Sequence, residues 1–105
     1  MVRIPHRPHK DYFFYRVVFF IMEKYYFYIL HSEKLDKYYI GYTSDLEARL
    51  AKHNTHHKGF TGRENDWKVV YTEVFDTKSA AYAREREVKR KKSRKYLIYL
   101  IESSK

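Results

Sequence analysis

Residues 25–53 read YYFYILHSEKLDKYYIGYTSDLEARLAKH, and this stretch decides the fold. Residues 25–31 and 37–43 are rich in Tyr, Phe and Ile, with the polar turn Ser32–Lys37 between them. Such a composition, bounded by a polar turn, predicts an antiparallel hairpin. Alternate strand residues share a face. Tyr26, Tyr28 and Leu30 therefore fall on one face, Tyr25, Phe27 and Ile29 on the other, and Tyr39 and Gly41 share a face across the turn. Ordinary sheet packing accounts for any single one of these tyrosines.

A helix follows at once. Thr43-Ser44-Asp45 supplies capping residues and Glu47 an acid in the first turn, which predicts a helix from about Asp45 to His53. Leu46 and Leu50 form its apolar stripe, and Arg49 and His53 flank that stripe rather than lying opposite it. Residues 54–66, NTHHKGFTGREND, are a polar, basic loop whose Lys58 and Arg63 are candidates for phosphate contact. His53, His56 and His57 fall short of a zinc set for want of a fourth ligand.

Residues 67–76 alternate as a third strand, with Trp67, Val69, Tyr71 and Glu73 expected on one face and Val70, Thr72 and Val74 on the other. Thr77-Lys78-Ser79 opens a second helix, on which Ala81, Glu85 and Val88 share a face. A carboxylate on an inward face needs a partner or a metal, because an unpaired buried charge is very costly. A half-buried salt bridge, with Arg49 as the candidate partner, is the plain structural reading of Glu85. Basic residues then accumulate, Lys89, Lys91 and Lys92 among them. Ser93 caps a last helix, Arg94 to Glu102, with an apolar side of Tyr96, Leu97, Leu100 and Ile101.

A chain of 105 residues holds one domain with a modest core. Its net charge of +9 favours a polyanionic partner, nucleic acid or an anionic membrane. Cysteine is absent, which excludes disulfides and thiolate metal sites and fits a cytoplasmic protein. Residues 1–21 read as an N-terminal extension to a domain at 22–105, either an added apolar segment or sequence upstream of a start at Met22. The apolar run Tyr12–Ile21, interrupted by Arg16, is too short for a membrane span of ~20 residues. No membrane partner is expected.

Four patterns in order now stand together: Tyr28-Ile29-Leu30; Tyr39-Ile40-Gly41-Tyr42-Thr43; Leu46, Arg49 and His53 on one helix; and Glu85 before Val88-Lys89 on the next. Over about residues 23–102 this resembles the GIY-YIG nuclease superfamily, in its small single-domain members related to the N-terminal domain of excision nucleases. Tyr26 stands where the first triplet of the larger members has glycine, and Tyr42 where some members place a basic residue. The late asparagine of larger members has no match.

The resemblance implies an α+β fold, a small three-stranded antiparallel sheet flanked by helices. It also implies a metal-dependent DNA endonuclease that hydrolyses phosphodiester bonds in DNA repair or processing. The matched positions are Tyr28, Tyr39, Arg49, His53 and Glu85. Glu85 would hold Mg2+ or Mn2+, Arg49 would bind the phosphate, Tyr28 would hydrogen-bond phosphate or water, and either Tyr39 or His53 would serve as base. Without the recognition domains of repair and homing relatives, cleavage is expected to be structure-dependent or weakly specific. A partner protein could supply specificity, with Lys58, Arg63, Lys89, Lys91 and Lys92 on phosphates. A catalytically weak nucleic-acid-binding module of the same fold is the alternative, and the oligomeric state stays open.

Overall fold

The hairpin forms where its composition puts it, as β1 (Tyr25–Ser32) and β2 (Lys37–Thr43). The computed structural model describes residues 23–55 and 57–105. The expected extension at 1–21 and the alternative start at Met22 lie outside the described residues. After the hairpin come α1 (Leu46–His53), a short 3-10 turn (Phe60–Arg63), β3 (Lys68–Phe75), α2 (Lys78–Lys91) and α3 (Arg94–Ser103). The three strands make one antiparallel sheet in the order β2-β1-β3. The fold is the expected α+β arrangement. No helix among the described residues is long and apolar enough to cross a membrane.

β1 lies in the centre and is covered on both faces. Phe27, Tyr28, Ile29 and Leu30 are each almost fully buried. Phe27 and Ile29 pack with Val88 of α2 and with Leu97, Leu100 and Ile101 of α3. Tyr28 and Leu30 pack with Trp67, Leu46 and Leu50, the last two from α1. A two-sided strand explains why residues 27–30 show no polar position.

Each helix starts on a cap legible in the sequence. Asp45, Thr77 and Ser93 accept the backbone N–H of Ala48, Ala80 and Tyr96 respectively, each worth about 1 kcal/mol. The hairpin turn is tied down from outside: Asp66 accepts from the Ser32 hydroxyl and the Lys34 N–H. Arg94 reaches Asp36, which sits in the left-handed region at φ 51°.

One expectation fails. Tyr71 and Glu73 do not share a face with Trp67 and Val69. Ile29 pairs with Tyr71 but Leu30 pairs with Val69, so Val70 is an extra residue in β3. Such a bulge shifts the alternation by one. Tyr71 therefore turns to the α2–α3 side, with its ring 6.2 Å from Phe27. Glu73 follows it and takes a bidentate pair from Arg84, with contacts of 3.0 to 3.2 Å.

Candidate active site

The site begins with a missing side chain. Gly41 on the edge strand β2 stands opposite Tyr28 on the central strand. A Cβ at position 41 would fall 2.5 Å from the Tyr28 hydroxyl oxygen and 2.6 Å from Cζ. Glycine here lets the Tyr28 ring lie across β2 with its hydroxyl at the sheet edge. Tyr39, two residues earlier on the same face, stacks against Tyr28 at 6.4 Å and tilts over His53 at 4.6 Å.

α1 crosses this face. Its stripe of Leu46 and Leu50 docks on Trp67 and Leu30, and this docking carries the flanking Arg49 and His53 to the tyrosines. His53 is buried, with Nε2 2.9 Å from the Tyr28 hydroxyl and Nδ1 2.8 Å from the Thr61 hydroxyl. Arg49 is exposed and makes no ion pair with the described residues. α2 packs on the other face of the sheet, with Val88 against Phe27 and Ile29, and contributes Glu85 to the same cleft as Tyr28. Tyr28, Tyr39, Gly41, Arg49 and Glu85 line one cleft of about 410 Å³, along with Tyr25, Tyr42 and Lys78.

The charges in this cleft are unevenly matched. The Glu85 side chain is only 13% exposed, yet its partner is the half-exposed Lys89, 2.6 Å away one helical turn on. The expected pairing of Glu85 with Arg49 is not formed. The i, i+4 lysine on the same helix reaches the carboxylate with no cost in fold geometry, and Arg49 stays with the aromatic side of the cleft. Tyr28 is held protonated: burial pushes its hydroxyl well up, the neighbouring Tyr39 adds to this, Arg49 opposes it, and Glu85 raises it further. His53 is held neutral: burial, then the charges of Arg49, His57 and Lys52, bring it down to about 4.

Four of the five matched residues thus line the cleft, and His53 stands directly behind Tyr28. Lys58, Arg63, Lys91 and Lys92 are exposed and lie outside the cleft. The side chain of Lys89 is engaged by Glu85. Three residues escaped the sequence reading in their roles here. Lys78 lines the cleft from the first turn of α2, where a cation opposes the helix dipole; that unfavourable placement was the available signal. Thr61 meets His53, and His57 meets Thr61, across a loop that carries no periodicity; the sequence offered His57 only as part of an incomplete zinc set, and no signal pointed to Thr61.

A metal fits this donor set in one way only. No group of three or more His, Cys, Asp or Glu among the described residues could enclose an ion. Among the described residues, Glu85 is the one carboxylate lining the cleft. A single carboxylate suits Mg2+, which keeps several waters and takes its remaining ligands from substrate phosphate.

Comparison with known proteins identifies the family of the chain. The family model of the GIY-YIG catalytic domain matches residues 24–97. A UPF0213 protein of Staphylococcus saprophyticus is 42% identical over 69 residues, covering 65% of this chain and 83% of the relative. A UPF0213 protein of Streptococcus pyogenes serotype M3 is 44% identical over 75 residues, covering 69% and 78%. One from Haloquadratum walsbyi is 42% identical over 52 residues, covering 49% and 58%. No solved structure matches the chain. The chain belongs to the GIY-YIG family, whose function is in general that of a nuclease.

Proposed function

On the premise of that family, we propose that the chain is a divalent-metal-dependent DNA endonuclease. It hydrolyses phosphodiester bonds with structural or weak sequence preference, in DNA repair or processing. One observation carries the reading. A single cleft brings together the phenols of Tyr28 and Tyr39, a guanidinium with no ion pair among the described residues, and a mostly buried carboxylate whose ion-pair partner among those residues is a half-exposed lysine. A packing cluster would neutralise itself; this one leaves room and charge for a phosphate and a cation.

The roles follow from the chemistry of each group. Arg49 offers a planar fork of donors and takes two phosphate oxygens, offsetting the charge that grows in the transition state. Tyr28, kept protonated by burial, donates a hydrogen bond to phosphate. Tyr39 faces the same cleft, and its hydroxyl has no hydrogen-bond partner among the described residues. It orients the attacking water and takes its proton. His53 is the weaker candidate for that base, since both its ring nitrogens are engaged, by Tyr28 and by Thr61. Glu85, once released from Lys89, would hold Mg2+ or Mn2+, and the ion would supply Lewis acidity and leaving-group stabilisation. Lys58, Arg63, Lys89, Lys91 and Lys92 contact backbone phosphates flanking the cleft and carry no sequence information.

The test is cleavage by the full chain of single-stranded, duplex, flap and four-way-junction DNA, with Mg2+, Mn2+ or EDTA. Cleavage of at least one substrate with metal and of none with EDTA is the expected result. Tight, salt-sensitive binding with no cleavage of any substrate would instead favour a nucleic-acid-binding module of the same fold.

A further inference from the structure

Behind Tyr28 runs a chain of hydrogen bonds that ends at a backbone amide, and that end sets the direction of all the rest. The Gly59 N–H donates to Nδ1 of His57 at 3.0 Å. A backbone amide can only donate, so this nitrogen is bare and a neutral His57 carries its proton on Nε2. Nε2 lies 2.9 Å from the Thr61 hydroxyl and donates to it. Thr61 is 1% exposed and has one hydrogen of its own. Its remaining neighbour is Nδ1 of His53 at 2.8 Å. If that hydrogen goes to Nδ1, His53 carries its proton on Nε2 and donates to the Tyr28 oxygen, 2.9 Å away.

The opposite direction is chemically drawable but poorer. Tyr28 would donate to Nε2, and Nδ1–H of His53 would donate to Thr61. Thr61 would then accept twice, and its own hydrogen would have no acceptor among the described residues. A buried donor left unmade costs about 1–3 kcal/mol, enough to set the direction.

We propose that Thr61 and His57 are positioning residues. They fix His53 as the Nε2–H tautomer, so that the Tyr28 oxygen is an acceptor on its buried side and its hydrogen is free to be donated into the cleft. The inference rests on the nuclease reading for its purpose, though not for its geometry. It gives His53 a defined task, that of aiming Tyr28, and leaves it no lone pair for use as a base.

The loop is built to hold this chain still. Nε1 of Trp67 donates to the Thr61 carbonyl at 2.8 Å, and Asn54 exchanges two hydrogen bonds with the Trp67 backbone. Gly62 permits the crossing, since a Cβ there would fall 2.0 Å from the His57 carbonyl oxygen. The neutral state of His53 near pH 7 fits the same picture, its value being held at about 4.

The first experiment is a nitrogen-15 NMR correlation of the histidine rings in the full chain near neutral pH, without DNA. The expected spectrum has His53 protonated on Nε2 and bare on Nδ1; protonation on Nδ1 overturns the proposal. The second compares Thr61→Val and Thr61→Ser in cleavage. Valine is expected to lower kcat roughly tenfold with little change in KM, less than the loss on deleting a donor outright. Serine, which keeps the hydroxyl, is expected to restore kcat. Equal kcat for Thr61→Val and wild type, or equal loss in both variants, contradicts the role. The tautomer is read without substrate, so failure of the nuclease reading and failure of this one are separable.

Discussion

Glu73 and Glu85 are both mostly buried carboxylates, 24% and 13% exposed, and they are treated in opposite ways. Glu73 receives a bidentate pair from Arg84 and the Tyr71 hydroxyl, and Arg84 also reaches Glu87. That cluster is closed, and it pushes the Arg84 guanidinium above its ordinary value through its bond to Glu73. Glu85 is the more buried of the two, yet its partner is one flexible lysine half in solvent. An i, i+4 pair of this kind is worth well under 1 kcal/mol. One cluster holds the sheet to α2. The other is held loosely enough to exchange its lysine for a different cation.

Substitutions can break that comparison from either side. Arg49→Ala should cost about 3 kcal/mol of transition-state stabilisation, roughly a hundredfold or more in kcat, with the melting temperature little changed. A twofold change in kcat measured under saturation would return Arg49 to the solvated surface. On the other cluster, Glu73→Gln should lower stability by about 2 kcal/mol in urea unfolding, since it weakens a desolvated charge-assisted pair. Cleavage by the folded fraction should persist. Loss of cleavage with unchanged urea midpoint would show that the two clusters are not divided as described.

A third prediction sharpens the site side by pH. An unfolded histidine titrates near 6.5, and folded His53 near 4. Between those values the unfolded chain binds more protons. Stability should therefore be whole above about 6.5 and fall as pH drops toward 4. Melting temperatures across that window should slope less in His53→Gln than in wild type; parallel slopes would mean that His53 titrates normally. The smallest effect lies at the end of α2, where Lys92 occupies the left-handed region at φ 47°. Lys92→Gly should raise stability by about 0.5–1 kcal/mol by relieving that strain. A decrease in the urea midpoint would show that the lysine side chain is earning its place by packing.

The hairpin, the helix caps and the inward face of α2 were legible because each rests on local chemistry: residue type, periodicity and a capping side chain. The placement of Arg49 and His53 beside the apolar stripe was legible for the same reason. Three features were not. The Val70 bulge inserts one residue without altering composition, and it turned Tyr71 and Glu73 to the other face. The partner of Glu85 depended on which cation lay nearer in space, and Lys89 on the same helix displaced the expected Arg49. The Thr61 and His57 contacts form across an irregular loop, where neither spacing nor period carries information about who meets whom.

The most direct measurement is the cleavage rate of Glu85→Gln beside wild type, on the preferred DNA substrate with saturating Mg2+, together with the urea midpoint of each. The expected outcome is loss of cleavage by at least a thousandfold, retained DNA binding, and a midpoint equal to or above that of wild type. Wild-type turnover in the variant, or a collapse of its stability, would contradict the claim that Glu85 is kept for a ligand rather than for the fold.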